Sequence, residues 1–305
     1  MEQRIDRLLA ILAPYGAVKD VPLAAHTSFR IGGPAQLFFE PGDGAALSLA
    51  LESAKAEGVA VTLMGNGSNL LVSDAGVEGL VVKLGPAFSG LELREDGQVF
   101  ALAGTLLSAL ANFAADHGLM GLEWAAGIPG SVGGALAMNA GAYGGEIRQV
   151  LCEVEYFDAQ TGEFLRRAPS EGELGYRQSA FAWPARVITA AAFRLAPDDG
   201  GMRERMREYS EKRRAKQPLA YPSAGSVFKR PPGHFAGALI EAAGLKGVAV
   251  GGAEVSELHA GFIINTGNAS SADVHALIEL VRRRGLERSG VLLEPEIKFI
   301  GREQP

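Results

Sequence analysis

Two glycine-rich stretches carry the residue types that could do chemistry. The first, GNGSN from Gly65 to Asn69, follows the apolar segment VAVTLM, which reads as a buried strand. The second runs from Gly127 to Gly145 and holds seven glycines, with Pro129, Ser131 and Asn139 among them and almost no charge. Glycine costs roughly 0.5–1 kcal/mol relative to alanine inside a helix or strand, so something must offset so many of them. Backbone N–H groups brought close to an anion would do so, because a concavity of amides binds phosphate without a side-chain cation. A plain turn at GNGSN and an irregular packed loop at 127–145 are the competing readings. The dinucleotide fingerprint is disfavoured, since Leu70 stands where GxGxxG needs its third glycine. No GxxxxGK[ST] occurs, which excludes a Walker loop.

The elements that must position these loops alternate between helix and strand. Ile5, Leu8, Leu9 and Leu12 fall on one face of an opening helix that Pro14 and Gly16 end. QLFFE, a helix from about Gly44 to Glu57 stopped by Gly58, and VAVTLM make a strand–helix–strand unit. GLVVKLG, LELRED and QVFALAG follow as short strands. A helix from Leu106 to His117 comes next, with Leu106, Leu110 and Phe113 on one face and Gly118 as its cap. VLCEVEYFD and GEFLRRA read as a hairpin, and VITAAAFRL as a further strand. After PDDGG the charged segment MRERMREYSEKRRAKQ begins, which predicts a helix and a domain boundary. Beyond it lie a helix around FAGALIEAAG, strands around VAVGG and GFIINTG, and a helix opened by a capping-box pair, Ser270 and Asp273, with Val274, Leu277, Ile278 and Val281 as its buried stripe. VLLEPEIKFI closes the chain as a strand with Leu293, Ile297 and Phe299 on one face and Glu294, Glu296 and Lys298 on the other.

Composition bounds the function. The chain has 305 residues, enough for two or three domains, and its net charge of −6 argues against a general nucleic-acid or membrane-surface binder. The single cysteine, Cys152, excludes an intrachain disulfide and a four-thiolate metal site, and no metal site is expected. The N-terminus lacks signal-peptide architecture, and no apolar run approaches the roughly 20 residues of a membrane span. A cytoplasmic α/β protein is expected.

HTSFRIGGPA, GNGSNLLVSD, GLEWAAGIPGSVGGALAMNAGAYG, YRQSAF, AGSVFKRP, HAGFIINTGNA and LEPEIKFIG, in this order, resemble the UDP-N-acetylenolpyruvoylglucosamine reductase family over nearly the whole chain, from about residue 20 to 302. The resemblance implies an α/β (α+β) architecture. An FAD-binding domain of the vanillyl-alcohol-oxidase type is made of two subdomains, 1–75 and 76–197, and a C-terminal α+β substrate-binding domain spans 202–302. It implies a monomeric enzyme of peptidoglycan precursor synthesis that binds FAD non-covalently, takes hydride from NADPH and reduces UDP-N-acetylglucosamine enolpyruvate to UDP-N-acetylmuramate. The cofactor residues it implies are Arg30, Gly65, Asn66, Gly67, Ser68 and Asn69. From the second stretch it adds Gly127, Ile128, Pro129, Gly130, Ser131, Gly133, Gly134, Asn139, Ala140 and Gly141. No cysteine or histidine lies in either glycine loop, so covalent flavin attachment has no obvious residue.

Hydride arriving at C3 of the enolpyruvyl group leaves electron density at C2 and the carboxylate, which calls for a clamp on that charge and a proton donor. By match to the family motifs, Arg177 is the clamp, Ser226 the proton donor and Glu296 a third catalytic carboxyl group. Without the motifs they would read as a surface arginine, a turn serine and a solvated strand face. Tyr176, Lys216, Gly225 and Lys229 are implied in substrate binding, with Arg213 and Arg214 as weaker candidates and Lys229 placed to favour a developing Ser226 alkoxide. His259 and Asn265 match family positions without an assigned step. The short stretch between YRQS and AGS resembles the subtype that lacks an extra tyrosine-bearing substrate loop. Two other readings stay open: another FAD-dependent oxidase or dehydrogenase of this fold, and a non-catalytic nucleotide-binding module.

Overall fold

Helical spacing and capping chemistry place the first elements of the computed structural model, which describes residues 2–302. Ile5, Leu8 and Leu12 are buried on α1 (Glu2–Leu12), and a 3-10 turn at Ala13–Tyr15 ends it, with Gly16 left-handed. α2 (Gly44–Glu57) starts where the Asp43 carboxylate accepts the Ala46 N–H at 2.8 Å, and Gly58 stops it in the left-handed region. α3 runs from Leu107 to Asp116. Its buried face is Leu107, Leu110, Ala111, Ala114 and Ala115, while Leu106 precedes the helix and is exposed, so the expected stripe is shifted by one residue. The remaining helices are α4 (Val132–Ala137), α5 (Met202–Lys216), α6 (Ala236–Ala242) and α7 (Ser271–Ser289).

The chain divides into two compact units of interleaved segments: 1–18, 37–66 and 79–213 form one, and 19–36, 67–78 and 214–305 the other. The first unit is built on two sheets. One has the strand order Val18–Pro22, Pro34–Phe39, Val77–Lys83, Val61–Met64, its last pair parallel with Val61 opposite Leu80; the backbone changes unit within the first three of these strands. The other is antiparallel throughout, with the order Glu163–Arg167, Leu151–Asp158, Arg186–Phe193, Val99–Leu102, Leu91–Leu93. Its central strand is buried from Val187 to Phe193, and α4 packs on it. A run of alanines there suits a strand covered on both faces. One core in this unit gathers Leu8, Leu47, Leu110, Trp124, Phe157 and Phe193.

The second unit has its own core, which includes Phe29, Leu71, Val227, Ile240, Leu277 and Ile297. An antiparallel meander, Ala249–Val250, Ala253–Val255, Ile263–Asn265, packs against α7, and α6 packs on α7. α7 has both halves of its capping box: Asp273 N–H donates to Ser270 Oγ, and Ser270 N–H to Asp273 Oδ2, each at 3.0 Å. The closing segment is not one alternating strand. Leu293 and Ile297 are buried, but only Lys298–Ile300 is a strand, paired parallel with Leu70–Val72, and Phe299 is exposed and stacks on His275 at 4.3 Å. Among the described residues no helix is long and apolar enough to cross a membrane.

Candidate active site

In the first unit the start of the GNGSN loop lies on the second glycine stretch. A Cβ on Gly65 would stand 2.4 Å from Ser131 Oγ, and the Asn66 amide donates to the Pro129 carbonyl. The loop 127–134 is only partly available to a ligand. Val132 and Gly133 N–H groups donate to the Thr105 and Ala103 carbonyls at 2.8 Å each, and Gly134 N–H reaches Ser131 Oγ at 3.4 Å. The Gly127, Gly130 and Ser131 amides have no protein acceptor among the described residues. Ile128 N–H is taken by Ala125 O at 3.0 Å, and Ala140 N–H by Ala135 O at 2.7 Å.

A stripe of α5 backs this stretch. Arg205 holds the buried Glu123 carboxylate with Nε and Nη2 at 3.0 and 2.8 Å, just before the glycines begin. Four residues on, Tyr209 stacks on Tyr143 with ring centroids 4.4 Å apart. Four further, Arg213 lies against Gly127; burial lowers its guanidinium pKa, and its buried Nε has no hydrogen-bond partner among the described residues. The spacing 205, 209, 213 is one helix face.

Arg177 stands at the tip of a small hairpin in which Leu174 pairs with Ser179 and Gly175 with Gln178. Its φ of 56° is left-handed, and its Nη2 donates to Gly141 O at 3.4 Å. The neighbouring Tyr176 is half exposed, its ring centroid 5.2 Å from the guanidinium carbon. The strand before this hairpin ends at Arg167, whose Nη1 and Nη2 donate to the Glu173 carboxylate at 2.7 and 2.5 Å. That pairing, with the Ser170 N–H, holds the Glu173 pKa at about 2. Asn139 is buried, and its side chain is bonded within the protein on every side, to Gly175, Glu146 and Arg148.

In the second unit Gly67 turns the GNGSN loop at φ 65°, where a Cβ would fall 2.1 Å from the His26 carbonyl oxygen, so only glycine fits. The TSFR segment ties this turn to the AGS segment: Ser28 N–H donates to Gly67 O at 3.3 Å, and Ser28 Oγ to Ser223 O at 2.7 Å. Arg30 is exposed at φ 56°. Asn265 Nδ2 supports the Phe29 carbonyl at 3.1 Å, which gives this asparagine a structural place. None of the amide N–H groups from Gly65 to Asn69 donates to a protein acceptor among the described residues. Partly exposed donors of this kind can meet water or an anionic group such as a phosphate.

Ser226 and Glu296 are brought together by backbone pairing. Glu296 N–H donates to Val227 O at 2.7 Å, Lys229 N–H to Glu294 O at 2.9 Å, and Phe228 bridges Pro295. Among the described residues Ser226 Oγ donates to Phe228 O, at 3.4 Å. Lys229 does not sit by the Ser226 hydroxyl as an isolated cation: its Nζ pairs with Glu294 at 3.0 Å. Gly225 is left-handed at φ 80° with nothing within 4 Å of a Cβ placed there, and Lys216 is exposed at the end of α5. His259 accepts the Gly261 N–H on Nδ1 at 3.1 Å, a contact that suits the tautomer with its proton on Nε2, and burial lowers its pKa. Cys152 lies on a strand of the first unit with Sγ 2.9 Å from Gln98 Oε1, its thiol pKa raised by burial. Asp74 carries no sequence signal for its role: its carboxylate accepts from Ser271 and Ala272 N–H at 2.8 and 3.1 Å, capping a helix that starts far along the chain.

Residues 35–167 match the FAD binding domain family, and residues 217–300 match the UDP-N-acetylenolpyruvoylglucosamine reductase, C-terminal domain family. The UDP-N-acetylenolpyruvoylglucosamine reductase of Agathobacter rectalis is 48% identical over 302 residues, spanning 95% of this chain and 96% of its own. That of Geobacillus kaustophilus is 44% identical over 303 residues and spans 99% of both chains. The crystal structure of UDP-N-acetylenolpyruvylglucosamine reductase from Thermus caldophilus matches with a TM-score of 0.80 at 37% identity, covering 93% of this chain and 98% of that one.

Proposed function

This chain belongs to the UDP-N-acetylenolpyruvoylglucosamine reductase family, and we propose that it reduces the enolpyruvyl group of UDP-N-acetylglucosamine enolpyruvate to give UDP-N-acetylmuramate for peptidoglycan synthesis. NADPH as the nicotinamide donor, a cytoplasmic location and a monomeric state complete the proposal. FAD, when bound, supplies the relay of hydride from nicotinamide to the substrate. In the first unit the Gly65 and Asn66 amides, with those of Gly127, Gly130 and Ser131, would hold its pyrophosphate. No strongly nucleophilic side chain stands in either loop, in keeping with non-covalent binding.

The chain's own residues then manage charge and a proton. Arg177 offers a planar fork of donors to the substrate carboxylate, where charge collects as C3 is reduced. Ser226 delivers a proton to C2. A serine hydroxyl is a weak acid, but a carbanion-like centre is basic enough to take its proton, and Glu296 stands on the adjoining backbone to meet the same centre. The Glu294 carboxylate neutralises Lys229, so Lys229 contributes to substrate binding only by exchanging that partner. The observation that supports this reading is the backbone pairing of Val227–Lys229, which follow Ser226, with Glu294–Glu296, two segments far apart in sequence.

Ser226→Ala tests it. Reduction of bound flavin by NADPH needs no proton at substrate C2 and should run at nearly the normal rate. Reoxidation by the enolpyruvyl substrate should slow by roughly 10²–10⁴, the usual contribution of a positioned general acid. Rapid-mixing absorbance separates the two steps. Equal slowing of both would make Ser226 a structural or binding residue.

A further inference from the structure

From the placement of Asn139 we infer that it is a positioning residue for Arg177 and not a side-chain ligand of the cofactor; this rests on the reading of Arg177 given above. Asn139 is 1% exposed and adopts φ 40°, the left-handed region that asparagine tolerates better than most non-glycine residues. An asparagine side chain has two N–H donors and one carbonyl acceptor. Here all of them are used within the protein. Nδ2 donates to Gly175 O and to Glu146 Oε2, both at 2.9 Å, and Oδ1 accepts Arg148 N–H at 3.0 Å. Both donors, the groups that an anionic ligand would need, are therefore taken.

What it holds is the base of the Arg177 hairpin. Gly175 pairs with Gln178 across the two tip residues Tyr176 and Arg177, so a bond to the Gly175 carbonyl fixes the strand from which Arg177 projects. The other end of the arginine meets the same segment, since Arg177 Nη2 donates to Gly141 O, two residues beyond Asn139. Segment 139–141 therefore holds the base of the hairpin at Gly175 through Asn139 and the Arg177 guanidinium through Gly141. Glu146 and Arg148 complete the chain of support: Glu146 takes the second Asn139 donor proton and pairs with Arg148 at 2.5 Å. Arg177 itself sits at φ 56°, where an unsupported backbone would relax and swing the guanidinium away from a carboxylate. A clamp misplaced by about 1 Å can lose roughly 10²-fold in rate.

The test uses the full chain with FAD in four forms: unaltered, Asn139→Ala, Arg177→Ala and the double variant. Asn139→Ala should keep its flavin in full stoichiometry, keep reduction by NADPH within about 2–3-fold, and slow reoxidation by the enolpyruvyl substrate by about 10- to 100-fold. In the Arg177→Ala background, Asn139→Ala should add little further loss, because it acts through the arginine. Asn139→Asp, which keeps the volume and the Arg148 contact but removes both donors and sets a second carboxylate against Glu146, should slow reoxidation at least as much as the alanine variant. Losses that simply add, or unchanged reoxidation, overturn the inference. Flavin lost from both Asn139 variants, or failure of both to fold, would also overturn it and make Asn139 a cradle or core residue. Unchanged reoxidation in Arg177→Ala alone would instead remove the reading of Arg177 on which the inference stands.

Discussion

In the role proposed for it, Arg177 would present a flat guanidinium to a carboxylate from a backbone conformation that costs a non-glycine residue of order 1–3 kcal/mol. Its value therefore lies in geometry as much as in charge. Arg177→Lys keeps the charge and loses the fork, and a hydrogen bond to a charged group is worth about 1.5–3 kcal/mol. Substrate-dependent reoxidation in that variant should fall by roughly 10- to 100-fold, with NADPH reduction nearly unchanged. Equal turnover of the two proteins, measured by rapid mixing, would show that only charge is needed at 177. At this scale the sequence is legible through motif order and not through chemistry. Arg177, Ser226 and Glu296 look like a surface arginine, a turn serine and a solvated glutamate until YRQS, AGSVFKRP and LEPEIKFIG are seen together. The roles of Asn139, Lys229 and Asp74 depend on partners remote in sequence: the Gly175 carbonyl, Glu294, and the start of α7.

Among the elements, the connection from Arg167 to the Tyr176–Arg177 hairpin depends on one ion pair. Arg167 binds both oxygens of Glu173, and its guanidinium carbon lies 4.7 Å from the Phe181 ring centroid. The Glu173 carboxyl group, ordinarily near 4.5, is held at about 2 by the Arg167 hydrogen bonds and the Ser170 N–H. A folded-state value below the unfolded one means that the pair stabilises the fold fully above about pH 4.5 and loses that contribution as pH falls toward about 2. Glu173→Gln should be less stable than the unaltered protein at pH 7, and the gap should close across that window. Thermal melts at stepped pH would show it; a constant gap would mean that Glu173 does not titrate with folding. The capped helices α2 and α7 and the Leu151–Arg167 hairpin are readable from local chemistry, because Asp43, Gly58, Ser270 and Asp273 act on their own neighbours. The closing segment is not, because its strand forms only where Leu70–Val72 is available to pair, and Phe299 consequently faces outward against His275.

For the molecule as a whole, the backbone passes from one unit to the other after Val18, Gln36, Asn66, Glu78 and Arg213. Apolar periodicity says which residues are buried but not in which core, so Phe29, Ile31 and Leu71 give no local sign that they pack with Val227, Leu277 and Ile297. One crossing falls inside GNGSN, where Gly65 stands by Ser131 in one unit and Gly67 turns against His26 in the other. The flavin is the proposed ligand of the unmatched amides of that loop, and the colour of the protein reports on whether it is bound. The decisive measurement is an anaerobic absorbance titration of the purified chain. It should carry one flavin per chain that acid precipitation releases into the supernatant; NADPH should bleach it, and UDP-N-acetylglucosamine enolpyruvate should restore the yellow colour. A colourless protein that does not take up FAD, or a flavin that NADPH bleaches and the enolpyruvyl substrate leaves reduced, would contradict the assignment.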